Sequence, residues 1–268
     1  MAHKVEAGGV NKARLDAGTT LALSVLAGAF IGLGATFSTV VATETGLGYG
    51  ATRLLVGLAF SVGLILVVVG GAELFTGNNL IVIAWAQRKV SFSALYRNWA
   101  LVYLGNFVGA SATAIGVYLC GIAAFDRHQV GVTALMIANA KVGLSWQEAF
   151  MRGVYCNALV CLAVWLGHSA RSSTDKILCV VLPVAAFVAA GFEHSIANMY
   201  FIPMGMFLRD NPEVLAAAQK DAAFFSHLTW RGFLIDNLLP VTLGNIVGGA
   251  LMVGLVYWFI YLRKVGEK

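Results

Sequence analysis

The chain has 268 residues, of which 59% are hydrophobic and only 12% charged, and a formal net charge of +5. Too few polar side chains remain to cover a water-soluble globule of that length, so the composition excludes one. The cations form neither a run nor a face interleaved with aromatics, which argues against a nucleic-acid partner.

Residues 1–18 mix Lys4, Glu6, Lys12, Arg14 and Asp16 ahead of the first apolar run. They read as a short cytoplasmic segment rather than a cleavable signal peptide. Apolar stretches long enough to span a bilayer, about 20 residues each, are predicted near 20–42, 54–86, 100–124, 147–168, 177–207 and 233–262, the second and fifth being broken. The predicted fold is an all-α membrane protein with six transmembrane helices, in one domain covering 1–268.

With both termini cytoplasmic, the inner segments hold eleven cations against four acids, among them Lys264, Glu267 and Lys268 at the carboxy end, and the outer segments seven against seven. That asymmetry follows the positive-inside rule, and an even number of crossings keeps both ends inside. Trp85, Trp99, Trp165, Trp230 and Trp258 fall near predicted helix ends, where an amphipathic ring suits the interface. Cys120, Cys156, Cys161 and Cys179 lack C-x-x-C spacing and read as small packing residues, neither a disulfide framework nor a metal site.

Two motifs recur in the same order. Gly71-Ala72-Glu73-Leu74-Phe75-Thr76-Gly77-Asn78 aligns with Gly191-Phe192-Glu193-His194-Ser195-Ile196-Ala197-Asn198, giving G-x-E-x-x-x-x-N in helices two and five. Leu104-Gly105-Asn106-Phe107-Val108-Gly109 aligns with Leu243-Gly244-Asn245-Ile246-Val247-Gly248 in helices three and six. The repeats are predicted at 20–125 and 145–262, and three crossings in each turn the second copy upside down. The G-x-x-x-G steps favour close helix packing. Asn106 and Asn245 need partners within a span; interhelical hydrogen bonding is favoured, with pore lining as the alternative.

Segments 70–79 and 190–199 interrupt strongly apolar runs with glycines, acids and amides. Backbone freed at that depth is tolerated only inside protein or beside a water-filled cavity. Two broken helices bring half-helix ends to the membrane midplane, and amino-terminal ends attract anions. A small anion or polar solute is therefore expected at that centre. Glu73 and Glu193, with Asn78 and Asn198, read first as devices that stabilise the breaks, transport chemistry being the second reading. His194 has no such explanation, because Leu74 stands at its counterpart position. A pore-facing histidine that exchanges a proton or a hydrogen bond is the favoured reading.

At these residues the chain resembles the formate/nitrite transporter family, and its formate channels most. The likeness is carried by Glu73-Leu74-Phe75-Thr76 and by Gly191-Phe192-Glu193-His194-Ser195-Ile196-Ala197-Asn198-Met199. Supporting it are Tyr103-Leu104-Gly105-Asn106, Val160-Cys161-Leu162-Ala163-Val164-Trp165, Ile202-Pro203-Met204-Gly205 and Pro240-Val241-Thr242-Leu243-Gly244-Asn245. The resemblance implies an aquaporin-like protomer with its own pore, a homopentamer in the bacterial cytoplasmic (inner) membrane, and no cofactor. It implies a pore centre of His194, Thr76 and Asn245; a cytoplasmic constriction of Leu64, Leu74 and Phe75, with Asn157 and Val160 nearby; a periplasmic closure of Phe60 and Phe187; and Lys141 in an outer vestibule loop. The expected cargo is formate, carried as a weak-acid anion that shares a proton with His194. Nitrite and hydrosulfide are the alternatives, because Gly77-Asn78-Asn79 is closer to the form in those members. An intramembrane enzyme built on Glu193-His194 would be a different class, but no H-E-x-x-H pair, G-x-S-x-G elbow or phosphate-cradling loop accompanies it.

Overall fold

The computed structural model describes residues 1–263, and helix is the only regular secondary structure among them. Lys264, Glu267 and Lys268 lie outside the described residues. The first helix, α1 (Ala2–Arg14), precedes α2 (Ala17–Ala42), whose amino end is capped by Asp16 accepting from the Thr19 amide at 2.9 Å. After α3 (Tyr49–Gly70) the chain breaks and resumes as α4 (Phe75–Ala86), which contains a 3₁₀ turn at Asn79–Ile81. Then come α5 (Phe92–Leu119), α6 (Gln129–Val142) and α7 (Trp146–Gly167). A second break separates α8 (Ser173–Ala189) from α9 (Ser195–Leu208), and α10 (Pro212–Ala218) leads to α11 (Gly232–Tyr261).

Five of these helices, α2, α3, α5, α7 and α11, are long and apolar enough to cross a membrane. The shorter apolar helices α4 and α9 sit in the middle of the molecule, and the run from Ser195 to Gly205 is buried throughout. Large apolar side chains face outward instead, for example Leu26, Leu33 and Phe37 on α2 and Leu104, Val108 and Ile115 on α5.

Helix starts depart from the hydropathy expectation where capping chemistry outranks polarity. The third stretch, expected from about 100, begins at Phe92 because Ser91 accepts from the Ala94 amide, and polar Asn98 in its second turn is buried. The fifth begins at Ser173 because Ser172 and Asp175 form a capping box. The amino-terminal segment is also helical, burying Val5 and Ala13 against α4 and α11.

Small residues let the long helices touch backbone to backbone. A Cβ on Gly109 would run into the Val25 carbonyl of α2, and one on Gly248 into the Val154 carbonyl of α7. Without a hydrophobic drive in lipid, such close approach supplies the dispersion contact that holds helices together.

Candidate functional site

Each break begins with a glycine in the left-handed region, Gly71 at φ 77° and Gly191 at φ 75°, where a side chain would be strained. The Ala72 amide then donates back to the Val67 carbonyl, and the Phe192 amide to that of Phe187, each at 3.0 Å. Two residues later the backbone is extended, with φ −109° and ψ 126° at Leu74 and φ −107° and ψ 113° at His194. Leu74 and His194 thus hold equivalent places at the head of a buried half-helix.

Backbone exposed by the breaks is satisfied by two asparagines. Asn106 accepts from the Phe75 amide at 2.9 Å and donates to the Glu73 and Ser24 carbonyls at 2.9 and 2.7 Å. Asn245 accepts from the Ser195 amide at 3.0 Å and donates to the Glu193 and Gly153 carbonyls at 3.0 and 2.8 Å. Both are fully buried, with oxygen and nitrogen engaged. Asn245, which the resemblance places at the pore centre, braces the break with its amide, so it bears on the site through the backbone it holds.

The acids are equally committed. Glu73 accepts from Lys12 at 2.7 Å and Asn78 at 2.6 Å, while Glu193 accepts from Lys141 at 2.9 Å and Asn198 at 2.7 Å. Asn78 and Asn198 each donate onward, to Asn98 at 2.9 Å and to Asn237 at 2.7 Å. Burying a carboxylate at this depth is tolerable only with such pairing. Lys141 was expected in a loop, but it lies in the last turn of α6. Lys12, Asn98 and Asn237 did not figure among the expected site residues. The asparagines were legible, because each stands eight residues ahead of Asn106 or Asn245. Lys12 was hidden, because it lies 61 positions from its acid whereas Lys141 lies 52 from its own, and no fixed period aligns them.

Two cavities approach the centre from opposite ends. The first, about 480 Å³, is walled by Arg53, Arg152 and Lys141 and narrows to Phe60, Phe187 and His194. The second, about 320 Å³, runs from Lys12, His168 and Lys176 to Leu64 and Leu74. Phe60 and Leu64 lie one turn apart on α3, so the closed neck between the cavities is about 6 Å long. The Phe60 and Phe187 rings meet edge to face at 5.9 Å, and Phe187 stacks on the His194 ring at 6.0 Å.

Within the neck, Thr76 Oγ1 lies 3.0 Å from His194 Nε2. The Ala197 amide donates to His194 Nδ1 at 3.1 Å, which leaves that nitrogen as an acceptor. The neutral ring therefore carries its proton on Nε2 and donates it to Thr76. Phe75, expected in the constriction, is buried beside Thr76. Its ring packs edge to face on Tyr103 at 5.0 Å and Trp99 at 6.1 Å and lines neither cavity. Asn157 ties α7 to its neighbours, donating to Asn79 Oδ1 at 2.7 Å and to the Asn245 carbonyl at 2.6 Å, and Val160 is buried in the main core. Among the described residues no cluster of histidine, cysteine or acid side chains suits a metal ion.

The family profile described as formate/nitrite transporter matches residues 1–259. The chain is 46% identical over 267 residues to the formate channel FocA of Escherichia coli (strain K12), covering 98% of this chain and 94% of that one. It is 40% identical over 270 residues to a probable formate transporter of Methanothermobacter thermautotrophicus, covering 94% and 92%. Among solved structures it is similar to a pentameric formate channel with formate bound, at a TM-score of 0.86 and 44% identity over 92% of this chain and 98% of that one.

Proposed function

This chain belongs to the formate/nitrite transporter family, and on that premise we propose that it passes formate, and small monovalent weak-acid anions of the same class, through one passage in each protomer. Its product is translocation rather than a reaction. The carrying observation is the neck: two cationic cavities end on either side of a short apolar constriction whose polar element is the Thr76–His194 pair.

A six-span architecture follows if α3 with α4, and α8 with α9, each count as one interrupted crossing beside α2, α5, α7 and α11. Support for two inverted repeats comes from the matched hydrogen bonds around Glu73 and Glu193, which recur partner for partner. The relatives support placement in a bacterial inner membrane and assembly as a homopentamer surrounded by lipid. Positive charge concentrated on the inner segments supports cytoplasmic termini, which makes the Lys12 cavity the cytoplasmic vestibule and the Lys141 cavity the periplasmic one.

A bare anion pays heavily for leaving water between Leu64, Leu74, Phe60 and Phe187. Arg53, held by the Val188 and Ala189 carbonyls and without a carboxylate partner among the described residues, draws it in together with the half-helix ends, and His194 Nε2–H meets the anion by exchanging its bond to Thr76 for one to the passing oxygen. Outright proton donation requires the imidazolium, formed by protonating Nδ1 at the expense of the Ala197 cap. The neutral ring can only share its proton by hydrogen bonding.

Reconstituted vesicles tested with formate, nitrite, chloride and hydrosulfide at two pH values decide the reading. Formate flux well above that of empty vesicles is expected. Faster nitrite or hydrosulfide flux would reassign the cargo within the family, and no anion flux at all would overturn the transport reading.

A further inference from the structure

The second cavity contains a titratable group that the neck does not use. His168 caps the end of α7, and its Nδ1 lies 2.9 Å from the Val164 carbonyl. A carbonyl only accepts, so Nδ1 carries the proton of the neutral ring and Nε2 holds a lone pair. That Nε2 faces the region between α1 and the cavity, where a Cβ on Gly8 would meet it at 3.7 Å.

The charged groups around the ring come from three elements. Lys4 and Lys12 lie on α1, Lys176 on α8, and Glu73 in the first break. Glu73 is occupied by Lys12 and Asn78, and Asp175, next to Lys176, by the Arg171 and Ser172 amides. Among the described residues, Lys176 has no carboxylate within ion-pair distance. The cavity therefore joins one uncommitted ammonium to one imidazole nitrogen whose role reverses with pH.

We propose that His168 and Lys176 form a pH-operated binding site for small oxyanions such as formate at the cytoplasmic mouth, separate from the neck at His194. The proposal rests on the transport reading above. Above the titration range, Nε2 presents a lone pair between α1 and the cavity and repels an oxyanion that approaches it. Protonation converts it into an N–H donor at the cavity that Lys176 also lines, so an anion there meets two cationic side chains. Burial pulls the His168 pKa below its ordinary value, the Val164 hydrogen bond opposes this, and Lys12, Lys176 and Lys4 add to the lowering. The site therefore charges only when that face acidifies, and anion affinity rises as pH falls.

The test uses right-side-out and inside-out membrane vesicles of the full chain, so that pH is set separately at each mouth. Acidifying the cytoplasmic face of the wild type from about pH 7.5 to about pH 4.5, a range that reaches well below the ordinary imidazole value, should lower the half-saturating formate concentration on that face roughly two- to fivefold, as fits one solvent-screened charge. His168→Gln should hold the high value at both pH settings, and His168→Arg the low value at both. A His168→Gln response equal to that of the wild type would overturn the inference while leaving the transport reading intact, as would identical behaviour of the Gln and Arg variants. Wild-type vesicles that pass no formate in either orientation would overturn both.

Discussion

Thr76 and His194 lie 118 positions apart in the chain yet meet at 3.0 Å, each delivered by a different interrupted helix. The Ala197 amide fixes the tautomer, so the threonine oxygen receives the ring proton. Thr76→Val keeps the shape but leaves a buried N–H without a partner, a loss of about 1–3 kcal/mol. A lower detergent melting temperature and reduced formate flux are expected, whereas Thr76→Ser should stay close to wild type in both.

Asn106 and Asn245 each satisfy one amide and two carbonyls of a break. Leucine at either position orphans three backbone groups at a cost of about 1–3 kcal/mol each where they stay dry. Asn245→Leu and Asn106→Leu should therefore reduce the yield of folded protein sharply, measurable by size-exclusion chromatography after mild heating. Equal thermal stability to wild type would show that the asparagines do not brace the breaks.

The Lys141–Glu193 pair is the more enclosed of the two, with the lysine side chain 14% exposed against 37% for Lys12. Removing one partner from a buried pair costs about 3–5 kcal/mol because a charge is left uncompensated. Lys141→Met should thus destabilise strongly, and adding Glu193→Gln should recover most of the loss in a thermal-unfolding double-mutant cycle. Lys12→Met should cost less, since water reaches its site.

Helix α1 is held in part by Glu6, which pairs with Lys89 at 2.8 Å. Burial raises the carboxyl pKa, but the hydrogen bonds from Lys89 and His3 outweigh it and the net shift is downward. A depressed folded-state value means that the docking contribution is present above the unfolded carboxylate range and is lost as pH falls through the folded value. Hydrogen exchange in α1 should accelerate on strong acidification, and Glu6→Gln should abolish that step. Lys89 is well exposed, so the effect at neutral pH should not exceed about 1 kcal/mol.

Gly109 and Gly248 sit where a methyl group would strike a neighbouring carbonyl, whereas Gly116 on the same α5 has open space around it. Alanine at Gly109 or Gly248 should lower stability by about 1–3 kcal/mol. Alanine at Gly116 should be neutral or slightly stabilising, because it raises helix propensity. Equal melting temperatures for all three variants would remove close packing as the reason for these glycines.

Much of this architecture was legible because the polar residues interrupting the apolar runs come in pairs. Glu73 with Asn78, and Glu193 with Asn198, announce both breaks, and the absence of a histidine counterpart singled out His194. What escaped was set by tertiary contact. Lys12 joins Glu73 from a helix whose distance along the chain differs from that of Lys141 to Glu193, and Lys141 itself lies in a helix of 14 residues, too short to span a bilayer and so grouped with the loop between two spanning runs. Phe75 sits beside the threonine of the neck, but its ring turns toward Tyr103 and Trp99, a direction that one-dimensional spacing does not carry. Asn245 shows the same limit: a buried amide can line a passage or brace its wall, and only its three partners decide.

The passage of anion past His194 is tested most directly by formate flux in proteoliposomes holding equal amounts of folded wild type or His194→Phe, followed by stopped flow at two pH values. Loss of flux by about a hundredfold or more, the low end of what a positioned proton donor contributes, together with a changed pH response, is the expected result. Undiminished flux with an unaltered pH response in the phenylalanine variant would contradict it.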